Sequence, residues 1–560
     1  MVEKLVDFLN REIKGLHEAA YLLAIFTLLS QFLGLVRDRL LAGNFGATEI
    51  LDVYYASFRI PDLMFVIVTS FISASVLVPV LSKNIADNSK LRKTIDSLFS
   101  FFIISVLVIS VLVFIFIPQI LKMIMPAMLV GEYATDLILF TRILLLSPII
   151  LGVSQLFGSI VQSYRRFFIY AISPIFYNIG IILGIIVFYP IFGNIGLIYG
   201  VVIGLLLHAL IQIPTIVRHK LTPRLTVSID WKIVKDVVLI SLPRAMTLAS
   251  TQLILLVLVA VASTLSVGSI SIFNFSFNLQ SVPMAIIGVS YSMAAFPTLS
   301  RLFSNGNKNE FLAHMITATR HIIYWSIPVI TMFIVLRAQI VRTILGSGMF
   351  DWEATRLTAA ALAIFSISVL AQSLILLFVR GYYSAGQTKK PLFINIFSTA
   401  VTVIFVFVFI NLFNQDGAFR AFFEILLRVE DLDGTSVLML PLAFSAGMII
   451  NAILLWVVFE KDFNGFSLTL GKSFREILFA SMIAGYVSYL FLQVLARILD
   501  LNTFLGIFSQ GLISGLFGIL FGLIFLIYID NAETREIIKA LHSKFWKTKG
   551  VIVDQEELSG

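Results

Sequence analysis

Leu98–Ile117 reads LFSFFIISVLVISVLVFIFI, a run of residues with no charge and few polar groups. A helix needs about 20 apolar residues to cross about 30 Å of hydrocarbon, and this stretch supplies them with no amphipathic face left over for water. Similar runs recur along all 560 residues. Hydrophobic residues make up 59% of the chain and charged ones 13%, against about 45–50% and about 25% in soluble domains. A single large soluble core would not break its apolar side chains into repeats of membrane-spanning length. The expected fold is an all-α polytopic membrane protein.

Working outward from that run gives about fourteen spans: 19–44, 54–82, 95–117, 135–160, 170–189, 194–217, 236–263, 269–299, 320–343, 357–384, 391–412, 437–459, 476–499 and 504–529. Residues 1–18 form an amphipathic segment for the membrane surface, with no cleavable signal, and 531–560 a charged amphipathic tail. A second amphipathic stretch, about 414–434, carries Phe419, Phe422, Phe423, Leu426 and Leu427 among Arg420, Glu424, Arg428 and Glu430; it reads equally as a helix on the outer surface or as a packed outer loop. With the N-terminus inside, 28 of the 40 Lys and Arg residues fall on the inner side and seven on the outer. That bias puts both termini in the cytoplasm. The net charge of +8 follows these short loops rather than one basic face, so anionic lipid headgroups are expected as partners and nucleic acid is not. The chain has no cysteine, which excludes disulfides and thiolate metal sites.

Two motifs return at nearly one offset. Val78-Pro79-Val80-Leu81-Ser82-Lys83 is echoed by Phe296-Pro297-Thr298-Leu299-Ser300-Arg301 218 positions later, and Pro174-x-x-x-Asn178 by Pro391-x-x-x-Asn395 217 later. Six spans per repeat keep the orientation. The expected organisation is therefore two parallel six-helix lobes, 19–217 and 218–460, around a central cavity, with two further helices over 461–530.

Five arginines remain within or at the ends of spans: Arg37, Arg39, Arg59, Arg142 and Arg244. A charge in hydrocarbon is costly, so each needs a partner, a wet cavity or an interface. In Gly34-Leu35-Val36-Arg37-Asp38-Arg39, Asp38 can neutralise one neighbour and leave the other for a ligand; alternatively both arginines snorkel outward. Arg59 sits beside Pro61, which loosens its turn; the alternative is an ion pair to Asp52 or Asp62 that locks the helix. For Arg244 and Arg142, snorkelling competes with ligand contact. Arg presents a planar fork that suits phosphate oxygens, so the cluster points to an anionic ligand. No HExxH, P-loop or paired-carboxylate motif occurs, the six histidines lack metal-ligand spacing, and neither catalytic residues, metal nor cofactor are expected.

The stretches 33–38, 45–61, 73–82, 163–178, 295–300 and 380–391, in that order, resemble the MurJ (MviN) lipid II flippases of the multidrug/oligosaccharidyl-lipid/polysaccharide exporter superfamily. The resemblance implies fourteen helices, a cationic central cavity lined by Arg37, Asp38 and Arg59, and alternating access. The cargo it implies is undecaprenyl-pyrophosphate-linked peptidoglycan precursor, carried from inner to outer leaflet of the bacterial cytoplasmic membrane. The chain would act as a monomer and not as an enzyme. Where that family often has another cavity arginine in the eighth span, this chain has Asn278, with Arg244 as a substitute. The family's sodium site draws on spans seven, eleven and twelve, where the eleventh offers little beyond Thr402; coupling to an ion or to membrane potential stays open. The competing readings are a flippase for another polyprenyl-linked glycan, a drug or cation antiporter of the same superfamily, and a membrane glycosyltransferase using outer-loop carboxylates such as Glu132 and Asp136.

Overall fold

The computed structural model describes residues 16–70, 88–164, 166–218, 222–467 and 470–546, and the described segments are helical, with short turns and no strand among them. The main helices are α1 (Leu16–Phe45), α2 (Glu49–Ser57), α3 (Arg59–Thr69), α4 (Asn88–Ile124), α5 (Ala134–Leu144), α6 (Leu146–Ser163), α7 (Phe167–Leu183) and α8 (Ile195–Leu210). These are followed by α9 (Trp231–Ala262), α10 (Ser269–Met284), α11 (Ser290–Ser304), α12 (Lys308–Val335), α13 (Arg337–Ile344), α14 (Trp352–Ile367), α15 (Val369–Ser384) and α16 (Lys389–Gln415). The last five are α17 (Gly417–Leu427), α18 (Met439–Asp462), α19 (Leu470–Leu495), α20 (Phe504–Tyr528) and α21 (Ala532–Trp546).

Among the described residues eleven helices are long and apolar enough to span a membrane, and twelve if α14 and α15, bent by 40° at Ser368, count as one. The predicted first span is the 30-residue α1, diluted by Arg37, Asp38 and Arg39. The second is broken at Phe58, and its expected end lies outside the described residues, as does the amphipathic segment up to residue 15. The fourth is split at Leu145, and the ninth stops at Val335, with Arg337 opening a separate short helix. A helix satisfies its own backbone inside hydrocarbon, and the outer rows of these helices expose Phe114, Phe116, Phe407 and Phe521. Exposed aromatics are what a lipid-facing surface carries.

The chain divides into two compact units. One comprises 1–282, 340–368 and 386–455, the other 283–339, 369–385 and 456–560. In the first, α7 and α8 meet through glycines so closely that a Cβ on Gly180 would lie 2.2 Å from Gly204 Cα. Small residues permit that approach, which is how helices associate in lipid. In the second, Gly518 and Gly522 of α20 lie against Ala484 and Ser488 of α19. There α21 is clasped by Glu533: Arg320 and Ser473 each donate to its Oε1 at 2.5 Å. Burial pushes this carboxyl up, but those donors outweigh it and hold it below the usual range.

Candidate functional site: paired charges on the first three helices

All the residues of this site belong to the first unit. Asp38, 2% exposed, lies on α1 and is answered on both oxygens. Arg37 donates to Oδ1 from Nε at 2.9 Å and reaches it from NH2 at 2.8 Å, while Asn278 of α10 donates to Oδ2 at 3.0 Å. Arg37 also donates from NH1 to Asn178 Oδ1 on α7, at 3.3 Å. The Asn178 amide is fixed in turn by donating to Ser30 and to Pro174 O. Asp38 thus takes Arg37, as the sequence allowed. Arg39 does not stay free: its NH1 donates to the carbonyls of Thr343 at 2.6 Å and Ile344 at 3.2 Å, half-buried acceptors at the C-terminus of α13, where a cation is favoured.

Arg59 starts α3. Pro61 has no N–H to give to the Ser57 carbonyl, so the helix breaks at Phe58 and restarts, and Asp62 N bonds Phe58 O at 2.8 Å. Neither proposed ion pair forms. Arg59 NH2 donates to Asn274 Oδ1, and Asn274 holds that orientation by donating to Ile270 O at 2.7 Å. Arg59 Nε is shielded from solvent with no hydrogen-bond partner among the described residues. A wall of rings stands beside it: Tyr54 packs edge-on against Tyr55 and Phe58, and Tyr55 against Phe275.

Asp52, the other acid considered for Arg59, is engaged elsewhere. Its Oδ2 accepts from Gly268 N at 2.7 Å, and its Oδ1 from Ser271 N at 2.8 Å and Ser271 Oγ at 2.6 Å. It therefore caps α10 from another helix, satisfying N–H groups that a helix start leaves open. The approach is tight: Gly268 has φ +86, and a Cβ there would sit 2.4 Å from Ala47 O. Nearby, Met349 N bonds Gly43 O at 2.9 Å. Gly46, at φ +65, lies so close that a Cβ would be 2.6 Å from Met349 O. Asp52, Arg39 and these glycines tie the ends of α1 and α2 to α10 and to the 343–350 turn.

On the other side of Asn178, a pocket of about 240 Å³ is lined by Ser30, Ser154, Tyr170, His208 and Gln212. Gln212 Nε2 donates to Ser154 Oγ at 2.6 Å and to His208 O at 3.2 Å. Ser154 Oγ lies 2.7 Å from His208 Nδ1.

Of the sequence-predicted residues, Arg37, Asp38 and Asn278 come together in one network. Arg59 stands on the same two helices' partner α10, through Asn274, while Arg39 is a brace. Arg244 lies within α9, and its side chain is outside the described set. Arg142 stacks on Phe114, 4.8 Å from the ring centroid, in keeping with an interfacial anchor. Asp136 accepts from Asn194 at 2.9 Å. Thr402 spends its hydroxyl on Ser398 O at 2.7 Å. Sequence reasoning missed Asn274 and Ser271. The signal was there: Asn274 and Asn278 are four apart on one helix, hence on one face, and a polar pair on an apolar span needs partners.

A family model described as "Lipid II flippase MurJ" matches residues 41–509. The chain is 25% identical over 499 residues to a probable lipid II flippase of Borreliella burgdorferi, covering 86% of this chain and 96% of that protein. It is 24% identical over 401 residues to the lipid II flippase of Burkholderia cenocepacia, covering 70% and 78%. Its fold matches a lipid II flippase structure in an inward closed conformation with a TM-score of 0.72 at 23% identity, over 92% of this chain and all of that one. An inward-facing multidrug transporter of the MATE family follows at TM-score 0.62 and 15% identity, over 80% and 99%. The chain therefore belongs to the MurJ family of lipid II flippases.

Proposed function

We propose that this protein carries undecaprenyl-pyrophosphate-linked peptidoglycan precursor from the inner to the outer leaflet by alternating access, acting as a monomer with both termini in the cytoplasm. The diphosphate–sugar head occupies a water-accessible hollow lined by Arg37 and Arg59, and the polyprenyl tail stays in lipid. The observation that carries this reading is the state of Arg59. Its guanidinium is hydrogen-bonded by one neutral amide, with Nε buried and lacking any partner among the described residues. A buried donor left open costs free energy that a phosphate oxygen would recover. Arg37, neutralised by Asp38, places and orients; Arg59 contributes net charge.

No cofactor enters this scheme. A membrane potential, negative inside, acts on a net charge at about 2.3 kcal/mol per 100 mV, which biases the return of an empty cationic site. The test is reconstitution in vesicles with labelled lipid II and a competing lipid-linked glycan. Transport of lipid II that an excess of the other glycan leaves unchanged supports the assignment. Equal transport of both would move the chain to the broader class of polyprenyl-glycan flippases.

A further inference from the structure

A second feature shares no lining residue with the charged network. Between α9 and α16, with the end of α4 as its third wall, runs a groove of about 580 Å³. Its lining changes character along its length. Leu256, Val257 and Phe407 form one end, and Thr264, Asn411 and Asn414 the other. The polar end coincides with the ends of both helices, since α9 stops at Ala262 and α16 at Gln415. Phe407 and Asn414 are seven residues apart on one helix, so the gradient covers about 10 Å of depth.

Asn411 and Asn414 are exposed, and neither amide has a hydrogen-bond partner among the described residues. An amide facing hydrocarbon without a partner is costly, whereas one facing a headgroup is not. Thr264 Oγ1 already donates to Val261 O at 2.7 Å, which leaves it an acceptor. The neighbouring lipid-facing row, Ile404 and Val408, is exposed and apolar, so the groove opens onto hydrocarbon rather than water.

The geometry points to a phospholipid site: one acyl chain lies in the trough along Val257 and Phe407, and the phosphodiester head accepts from the Asn411 and Asn414 amides. With the termini cytoplasmic, the polar end of the groove belongs to the outer leaflet. A phospholipid meets both halves of this lining at once, which neither a soluble anion nor a headless hydrocarbon does.

The experiment uses the full-length chain with a photoreactive residue at position 257, reconstituted in phosphatidylglycerol vesicles. Crosslinking to the acyl chain should exceed that of the same group at position 520 on the lipid-exposed face of α20 by at least tenfold. Native mass spectrometry of protein titrated with phosphatidylglycerol should show about tenfold weaker lipid retention for Asn411→Leu combined with Asn414→Leu. The unchanged melting temperature of that variant would show that it folds. Equal crosslinking at the two positions, or equal retention by the variant, would overturn the site. Displacement of the phospholipid by equimolar polyprenyl phosphate would overturn the choice of occupant.

Discussion

Asp52 and Arg59 lie seven residues apart on either side of the same break, yet the surrounding protein treats them in opposite ways. Asp52 meets two backbone N–H groups and a hydroxyl, all from the start of α10. Arg59 meets one side-chain amide from the same helix and, among the described residues, keeps a buried donor unpaired. A charge saturated by backbone is part of the frame, because it cannot bind anything else without releasing a helix end. A charge answered by one amide retains donors that the protein does not use. Arg39, spent on the carbonyls of Thr343 and Ile344, falls with Asp52. Arg37 lies between, since Asp38 and Asn178 occupy it from two sides.

The largest effect should come from Arg59. Truncating a charged group that pairs with a buried partner costs about 2–5 kcal/mol, so Arg59→Ala should lower initial flipping in vesicles by at least about 30-fold. Its melting temperature should change little, because a buried donor without a partner is removed with it. Arg59→Lys keeps the charge but not the fork, and should recover part of the rate only. Flipping by Arg59→Ala at the unsubstituted rate would put this arginine among the braces.

Asp52 should show the reverse pattern at the next magnitude. Asp52→Ala strands the Gly268 and Ser271 donors in a buried place, at about 1–3 kcal/mol for an unsatisfied group. A lowered melting temperature is the expected readout, with Asp52→Asn intermediate because one acceptor oxygen survives. A variant that melts normally but no longer flips would reverse the assignment and make Asp52 a functional charge.

The all-helical membrane fold and the charge cluster were legible because both follow from local chemistry: hydropathy over about 20 residues, and the cost of ions in lipid. The partners were not. Whether Arg37 or Arg39 keeps Asp38 depends on which helix end arrives beside them. Thr343 and Ile344 are more than 300 positions away in sequence, and they offer main-chain carbonyls that no side-chain pattern announces. Asp52 looked like an ion-pair partner for Arg59 because they are near in sequence; the fold gave it a helix start instead. The two Pro-x-x-x-Asn motifs, by contrast, share a role in their asparagines: Asn178 accepts from Arg37, and Asn395 accepts from Asn451 at 2.7 Å.

Asn278 sharpens the contrast at smaller scale. Asn278→Ala removes one of the donors on Asp38 while Arg37 remains, and a net loss of about 1 kcal/mol is expected. Flipping should slow by less than about tenfold, with the larger share of the loss appearing when Asn178→Ala is added, because Arg37 then loses its side support as well. If the two substitutions simply add, Arg37 and Asp38 do not act as one unit.

The smallest effect belongs to an ion pair between the first turns of α14 and the segment after α17. Arg356 donates to both oxygens of Asp431, at 2.6 and 2.5 Å, and to Arg428 O at 2.6 Å. The Arg356 guanidinium holds the Asp431 carboxyl below its usual range, so whatever the pair contributes is present above the ordinary carboxylate pKa and lost as pH falls through the lowered one. Asp431 is exposed, however, and water and salt screen such pairs. Arg356→Gln should leave both melting temperature and flipping unchanged at neutral pH. Its effect should be local. Arg428 ends α17 in the left-handed conformation, at φ 61, and the bond to its carbonyl holds that turn, so hydrogen exchange over 417–434 should quicken while α16 and α18 stay protected. Loss of flipping from this exposed pair would mean that solvent-facing charges matter as much as buried ones, and would remove the basis for separating Arg59 from the rest.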